Sequence, residues 1–168
     1  GRPGPCDMCG IYGAFGESAH TLRLARPGIA AVLRHRGPDD EGFESGESWA
    51  LGFRRLSILD LSPAGHQPMA TPEGDVNVSY NGEIYNFLEV RRELEAKGAR
   101  FLSNSDTEVL LHGWRAWGPA MLGKLNGMFA IALYDARKQS LLLARDRLGV
   151  KPLHYAGMSD GGVAFAWE

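Results

Sequence analysis

The stretch MFAIALYDARKQSLLLAR, residues 128–145, indicates which kind of sheet this protein contains. Met128–Asp135 and Ser140–Arg145 are both apolar enough and long enough to be strands, and the residues between them suit a turn. Strands joined by so short a connection run antiparallel, because a parallel crossover needs about a dozen residues or more. The sequence therefore predicts an antiparallel hairpin at this point.

Other segments predict further strands and two or three helices. The expected strands are Ile11–Phe15, Trp49–Leu59, Val76–Tyr80, one around Leu153–Tyr155 and Val163–Ala166; the expected helices lie in residues 18–34, 86–98 and 105–117. We also expect a helix break at Pro27-Gly28, a tight turn at Asn81-Gly82, an N-cap at Asn86 and a capping box of Ser105 with Glu108. Because helices and strands do not alternate regularly, the predicted class is α+β, with antiparallel sheet and helices layered outside it.

Length and composition exclude several classes of protein. The chain has 168 residues, of which 44% are hydrophobic and 23% charged, with a formal net charge of −2. This is typical of one globular domain and excludes a disordered chain. A run of about 18 apolar residues is lacking, which argues against a membrane protein, and a signal-peptide layout is lacking too, which favours the cytoplasm. A block of Lys and Arg is also missing, so we expect no nucleic-acid partner.

The two cysteines, Cys6 and Cys9, lie close together near one end of the chain. A disulfide framework needs more cysteines, and a structural zinc site needs a second ligand pair that the sequence lacks. A redox role for the C-x-x-C pair remains an alternative. We interpret residues 1–8 as a leader, a propeptide or the remnant of a tag.

Met8 lies directly before Cys9, where a natural start could be. If Met8 is removed, Cys9 carries a thiol and a free α-amine on one residue. The reference pKa of such an amine, about 7.7–8.0, suits a general base near neutral pH, and a thiol is a good nucleophile. The alternative is that Cys9 is a small residue at the entry of a strand.

Two basic segments are open to a second interpretation as anion sites. Residues 34–40, RHRGPDD, are more simply explained as a loop braced by internal ion pairs. Residues 145–152, RDRLGVKP, place Arg145, Arg147 and Lys151 near a glycine. The segment lacks the spacing of a phosphate loop, which favours a structural role.

Seven strings in the same order resemble one family, the class II glutamine amidotransferases. They are MCGIYGAFG, RHRGPDDEG, RRLSILDLSPAGHQPM, YNGEIYNF, SDTEVLL, LNGMFAIALYD and RDRLGVKPLHY. The resemblance is strongest to the glutaminase domain of glutamine-hydrolysing asparagine synthetases. It implies an N-terminal-nucleophile hydrolase fold, a four-layer α/β/β/α sandwich of two antiparallel sheets. It also implies that residues 9–168 are the amidotransferase domain, without the C-terminal synthetase domain.

The resemblance assigns the catalytic residues. Cys9 matches the nucleophile, and Asn81 and Gly82 match the oxyanion hole, through the Asn side-chain N–H and the Gly backbone N–H. Such donors stabilise the negative charge that develops on the amide oxygen, each by roughly 3–4 kcal/mol. Taken without its neighbours, the Asn-Gly pair is more simply a turn; the flanking residues 83–86 favour the oxyanion hole.

The resemblance also assigns a glutamine-binding site. Arg55 matches the residue that binds the substrate's α-carboxylate, and Asp106 the one that receives its α-ammonium, with Glu83 close by. Asp106 also suits the start of a helix, where the helix dipole favours a carboxylate. Two further residues are expected to line the glutamine pocket or, alternatively, to belong to the core: Leu56 and Ile58.

The activity that the resemblance implies is hydrolysis of glutamine to glutamate and ammonia through a thioester on Cys9. The ammonia would supply an ATP-dependent synthetase domain; ATP and magnesium are expected only there, and no cofactor or metal is expected for this domain. The expected partners are L-glutamine and that domain, with a homodimer left open.

While residues 1–8 are attached, the nitrogen of Cys9 is an amide, so the glutaminase activity of the chain should be impaired. Alternatives are a sister amidotransferase with another acceptor and a non-catalytic descendant.

Overall fold

The structure, a computed structural model, describes residues 9–32, 40–55 and 66–167. The strands within these ranges are β1 Gly10–Phe15, β2 Asp40–Ser45, β3 Trp49–Arg55, β4 Met69–Ala70, β5 Val76–Ile84, β6 Gly127–Asp135, β7 Ser140–Arg145, β8 His154–Gly157 and β9 Val163–Ala166. The helices are α1 Ser18–Val32, α2 Phe87–Ala96, α3 Asp106–Trp117 and a 3₁₀ helix at Gly118–Lys124. No helix in these ranges is long and apolar enough to cross a membrane.

The strands form two antiparallel sheets. The first has the order β2-β3-β1-β9-β8 and the second the order β4-β5-β6-β7. The hairpin predicted from residues 128–145 is present as β6 and β7, which pair from Ala130 with Arg145 to Asp135 with Ser140. The predicted α+β class with antiparallel sheets is therefore confirmed.

Helices cover the outer faces of the two sheets. Helix α1 contacts β1 and β3 of the first sheet, and α3 contacts β5 of the second. An inner core fills the space between the sheets and consists of Ile11, Leu51, Phe53, Ala130, Ala132, Tyr134, Phe165 and Trp167. Because alternate residues of a strand face opposite sides, β6 gives Ala130 and Ala132 to this inner core and Ile131 and Leu133 to the core beneath α3. The layers follow the order α/β/β/α.

The turn predicted at Asn81-Gly82 is absent, and this prediction was wrong. Strand β5 continues through both residues to Ile84, and Gly82 pairs with Phe129 of β6. Glycine at this position instead allows the backbones of β5 and β6 to lie close together. A Cβ at position 82 would lie 2.1 Å from the carbonyl oxygen of Met128. An Asn-Gly pair can therefore stay in a strand where a neighbouring backbone leaves no room for a side chain.

Helix α1 runs from Ser18 to Val32 without the break expected at Pro27. Proline removes one helical hydrogen bond, but packing on a sheet can outweigh an unfavourable local preference. Here the helix packs against β1 and β3. Tertiary contact thus decided the continuity of this helix.

Of the two predicted helix caps, one is confirmed and one is not. Ser105 caps α3 by accepting a hydrogen bond from the Thr107 N–H at 3.2 Å. The capping box is incomplete, because Glu108 accepts hydrogen bonds from the N–H groups of Leu102 and Ser103. Asn86 precedes α2 but makes no side-chain cap.

The side chain of Asn86 serves a longer-range contact instead. Its amide donates to the Lys124 carbonyl at 2.9 Å, and its oxygen accepts from the Asn126 N–H at 2.9 Å. These two bonds tie the start of α2 to the segment before β6. An asparagine that suits a local cap was therefore used to join segments far apart in sequence.

Asp135 ends β6 with no exposed surface and joins the sheet to α3. Its carboxylate accepts hydrogen bonds from the Trp114 indole at 2.7 Å and from the Arg137 and Lys138 N–H groups at 3.0 and 3.2 Å. Burial by itself would raise the pKa of Asp135. The hydrogen bonds outweigh burial and hold the pKa below the ordinary value of 3.8.

We predict that Asp135→Asn lowers the free energy of unfolding by about 2 kcal/mol at pH 7, because an amide cannot accept from all three donors. The folded-state pKa lies below the unfolded one, so this stabilisation is complete above about pH 5 and is lost as pH falls through 3.8 towards the folded value. Urea unfolding at several pH values measures the difference. Glu73→Gln, at an exposed carboxylate, is the control and should change stability by less than about 0.5 kcal/mol; an equal effect of both variants would contradict the prediction.

Candidate active site

The residues assigned to the candidate site lie at the start of β1, at the end of β5 and at the start of α3. Gly10 of β1 pairs with Arg54 of β3, so Cys9 and Arg55 occupy the next positions at the same end of the first sheet. Cys9 is partly buried and packs against the inner core between the sheets. Strand β1 also contacts β5 of the second sheet. The predicted nucleophile therefore lies at the junction of the two sheets.

Three predicted substrate-binding residues lie wholly or partly outside the described residues. The backbone of Arg55 ends β3 opposite Asp40, and its side chain is not described. Leu56 and Ile58 fall in the range 56–65 and stay predictions. The adjacent Arg54 is buried, and its guanidinium pairs with Glu41 at 3.4 Å.

Asn81 is 5% exposed, and its Nδ2 donates no hydrogen bond to any group in the described ranges. A buried amide without a partner costs about 1–3 kcal/mol. Asn77 lies on the same face of β5, four residues before Asn81, and is also buried. Its side-chain amide, in contrast, donates to the Gly74 carbonyl at 3.2 Å. The Ser79 hydroxyl, between them on the same face, also lacks a partner in the described ranges. A buried donor without a partner calls for an explanation, and binding of a ligand is one.

Gly82 follows directly and places its backbone against β6. Because a Cβ would collide with the Met128 carbonyl oxygen at 2.1 Å and with the Phe129 Cα at 2.7 Å, only glycine fits without a shift of the strands. The two residues predicted as oxyanion donors are thus held on a fully paired strand. Such rigidity suits hydrogen-bond donors that must already be oriented towards the substrate oxygen before the reaction begins.

Asp106 is the first residue of α3 and is held by β5. Its Oδ2 accepts hydrogen bonds from the Tyr80 hydroxyl at 2.8 Å and the Ile84 N–H at 3.2 Å. Its other oxygen, Oδ1, accepts no hydrogen bond from the described residues. The carboxylate is therefore oriented through one oxygen and can receive a cationic group with the other.

Tyr80 is buried and orients the Asp106 carboxylate. Burial raises the pKa of Tyr80 far above its ordinary value of 10, and the negative charge of Asp106 raises it further. The phenol consequently keeps its proton and remains a hydrogen-bond donor throughout the physiological range. The Tyr80 N–H is itself bonded to the Gln67 side-chain oxygen at 2.6 Å, which ties this strand to the segment before β4.

The structure adds Lys151 to this neighbourhood, a residue that the sequence suggested only for a structural role. Its side chain is buried; burial lowers the pKa of Lys151, while the charges of Cys9, Asp146 and Glu83 act to raise it. Glu83, which the resemblance assigns to the site, is exposed on β5, and its place near the substrate stays a prediction. In the sequence this lysine is part of RDRLGVKP. Its position in the sequence does not show which residues lie near its side chain in the fold.

Two alternative roles for the cysteine region can be compared with the structure. In the ranges 9–32, 40–55 and 66–167, no group of three or more His, Cys, Asp and Glu side chains is arranged to hold a metal ion. Cys6, the partner in the redox alternative, lies outside the described residues.

Both the sequence and the fold of this chain are similar to those of known proteins. Residues 8–168 match the family of glutamine amidotransferase domains. The chain is 41% identical over 166 residues to a glutamine-hydrolysing asparagine synthetase 1 of Bacillus subtilis, covering 96% of this chain and 26% of that protein. It is 38% identical over 160 residues to the glutamine-hydrolysing asparagine synthetase B of Escherichia coli, covering 94% of this chain and 28% of that protein. The chain spans about a quarter of the length of these curated relatives.

A solved structure of similar fold is a glutamine phosphoribosylpyrophosphate amidotransferase from Bacillus subtilis. It superposes with a TM-score of 0.75 at 22% sequence identity and covers 95% of this chain and 42% of that one. At this identity the similarity concerns the fold alone. It agrees with the sandwich of two antiparallel sheets described above.

We predict that Asn81→Leu leaves stability unchanged or raises it by up to about 1 kcal/mol, because it removes a buried donor that has no partner in the described ranges. Asn77→Leu, the matched change on the same strand face, should lower the free energy of unfolding by about 1–2 kcal/mol, because the Gly74 carbonyl loses its bond. Urea unfolding of both variants measures the contrast. A loss for Asn81→Leu as large as that for Asn77→Leu would show that Asn81 has a structural partner.

Proposed function

The chain belongs to the family of glutamine amidotransferase domains, and from that premise we propose that it hydrolyses L-glutamine to L-glutamate and ammonia through a thioester on Cys9. The observation that carries the proposal is the buried Asn81 amide, a donor without a partner in the described ranges. Asn81 lies beside Gly82, on a strand of the second sheet that contacts β1. The names of the relatives, glutamine-hydrolysing asparagine synthetases, support the same substrate.

In the proposed reaction the Cys9 sulfur attacks the side-chain amide carbon of glutamine. A carbon–sulfur bond forms and the carbonyl electron pair moves to oxygen, where Asn81 Nδ2 and the Gly82 N–H stabilise the negative charge. Collapse of this intermediate breaks the carbon–nitrogen bond and releases ammonia, which takes up a proton. Water then attacks the thioester, releases glutamate and restores the thiol.

The α-amine of Cys9 is proposed as the base that accepts the thiol proton and returns it to the leaving ammonia. This role requires Cys9 to be the first residue, since a peptide nitrogen is not basic. Residues 1–8 are therefore proposed to be removed before the domain acts, whether as a leader, a propeptide or a tag remnant. Residues 9–168 then form the amidotransferase domain.

Substrate recognition is proposed to use charges at both ends of the amino acid. Arg55 would bind the α-carboxylate bidentately, and Asp106 Oδ1 would accept the α-ammonium, with Glu83 close by. Leu56 and Ile58 would line the side-chain pocket. The orientation of Asp106 by Tyr80 and Ile84 supports its part in this arrangement.

The product ammonia is proposed to pass to an ATP-dependent synthetase domain like those of the curated relatives. ATP and magnesium would belong to that domain, and no cofactor is proposed for the amidotransferase domain itself. A second copy of the chain is kept as an alternative partner. A cytoplasmic location is proposed as the place where glutamine, ATP and an amide-forming domain would act together.

Catalysis is tested with protein whose first residue is Cys9, by measuring glutamate formed from glutamine. Cys9→Ala should abolish the activity, and Asn81→Leu should lower kcat by about 10²–10³-fold because one oxyanion donor is lost. Asn77→Leu is the matched control and should retain kcat within about threefold when the protein is folded. Absence of hydrolysis in folded wild-type protein would favour a non-catalytic descendant.

Recognition of the α-ammonium is tested with Asp106→Asn. We predict that KM for glutamine rises by about 10–100-fold while kcat changes less, since a charge-assisted hydrogen bond of substrate binding is lost. Tyr80→Phe removes one of two donors that orient the carboxylate and keeps its charge, so it should raise KM clearly less than Asp106→Asn does. Equal effects of the two variants would mean that Asp106 only supports β5.

A further inference from the structure

Gln67 is a buried polar residue that lies just before β4 and takes no part in the reaction proposed above. It is 6% exposed. A side-chain amide in the protein interior is costly unless its oxygen and its nitrogen both find hydrogen-bond partners. The partners of Gln67 therefore indicate what this residue does in the fold.

The side chain of Gln67 extends the pairing of β4 with β5. Met69 pairs with Val78, so the same register would place residue 67 opposite Tyr80. Strand β4 begins only at Met69, after Pro68, which has no N–H for a ladder hydrogen bond. The Gln67 Oε1 atom accepts from the Tyr80 N–H at 2.6 Å, where a longer β4 would have supplied a backbone carbonyl.

The backbone of Gln67 lies against the first sheet. A Cβ at Gly42 of β2 would lie 1.6 Å from the Gln67 carbonyl oxygen and 2.7 Å from its carbonyl carbon. The backbones of β2 and of Gln67 are thus in direct contact at this point. Gln67 consequently joins the first sheet, through its backbone, to the second, through its side chain.

The orientation of the Gln67 amide follows from its partners. A backbone N–H can only donate, so the atom that meets the Tyr80 N–H is the amide oxygen. The amide nitrogen then faces α3 and donates to the Thr107 hydroxyl at 3.5 Å, a long hydrogen bond. Thr107 is 2% exposed, so this contact is shielded from water. Gln67 therefore bridges β5 and the start of α3.

The two partners of this bridge are sequence neighbours of two site residues. Tyr80 directly precedes Asn81 in β5, and Thr107 directly follows Asp106 in α3. Asp106 is itself bonded to β5 through Oδ2. The bridge through Gln67 is a second connection between the same two elements, and it acts on the backbone that carries the Asp106 carboxylate.

The bridge matters more for the position of α3 than for that of β5. Nine residue pairs join β5 to β6, so this strand is held along its other edge without Gln67. The first residues of α3 are joined to β5 by side-chain hydrogen bonds, those of Asp106 and the bridge through Gln67. Loss of the bridge should therefore displace Asp106 more than Asn81.

We propose that Gln67 is a positioning residue of the amidotransferase site, which holds Asp106 in the orientation that receives the α-ammonium of glutamine. This inference rests on the proposed function, in which Asp106 Oδ1 accepts that group. Gln67 acts through Tyr80 and Thr107 and not by contact with the substrate. A displaced carboxylate binds an ammonium less well, because a charge-assisted hydrogen bond weakens with distance and misalignment.

The test is a double-mutant cycle of Gln67 and Asp106, measured by glutamine hydrolysis with protein whose first residue is Cys9. Gln67→Met has a side chain of similar length without the two hydrogen bonds, so KM for glutamine should rise about threefold to tenfold. The kcat value should change less than about threefold, because the oxyanion donors stay on the paired strand. In the Asp106→Asn background Gln67→Met should raise KM less than about twofold, since the interaction that it supports is already lost.

Thr107→Val interrupts the bridge from the α3 side with little change of shape. It should raise KM in the same direction as Gln67→Met, and the two changes together should have no larger effect than Gln67→Met alone. Asn77→Leu is the matched control, because it removes a different side-chain hydrogen bond from β5, and it should leave KM within about twofold of the parent value. Thermal unfolding of each variant establishes that the assayed protein is folded.

The proposal is overturned if either folded variant of the bridge has the parent KM, or if Gln67→Met raises KM equally in the parent and Asp106→Asn backgrounds. A fall in kcat at unchanged KM also overturns it, since a smaller folded fraction gives that result. If Gln67→Met does not fold, Thr107→Val replaces it in the cycle, and failure of both to fold would make the bridge purely structural. Absence of hydrolysis in folded wild-type protein contradicts the proposed function, whereas hydrolysis with additive effects contradicts this inference alone.

Discussion

The unbroken antiparallel pairing of β5 with β6 is the constraint on which the candidate site depends. Nine residue pairs run from Val76 with Asp135 to Ile84 with Gly127. At Gly82 and Gly127 the partner backbone leaves no room for a Cβ, since the nearest carbonyl oxygen would lie 2.1 Å away in each case. Asn81 is therefore placed on a rigid strand, and the groups that surround it are attached to the same pair of strands.

The other parts of the site are tied to this ladder through two aspartates. Asp106 reaches β5 through Tyr80 and Ile84, and so links the start of α3 to the strand that carries Asn81. Asp146 reaches β6 through Phe129 and holds the backbone of Lys151. Segments that are far apart in sequence thus meet at one end of the two sheets because each is bonded to β5 or β6.

The site contains two features that oppose stability. One is the buried Asn81 amide without a partner in the described ranges, and the other is the buried ammonium of Lys151. Other buried polar groups differ in this respect: Asp135 is satisfied by several donors, whereas the Tyr12 and Ser79 hydroxyls also lack a partner in the described ranges. Each unsatisfied group lowers stability, and for Asn81 the proposed function supplies a reason to keep it.

The sequence by itself determined the hairpin of residues 128–145, the α+β class and the family, because apolar alternation and ordered motifs are local properties of the chain. It also singled out Asn81, Gly82 and Asp106 through resemblance. It could not show that Asn81-Gly82 stays in a strand, that α1 passes Pro27 unbroken or that Asn86 bonds to residues near β6. Tertiary structure decided those features and the burial of Lys151, because contacts between segments distant in sequence outweigh local preferences.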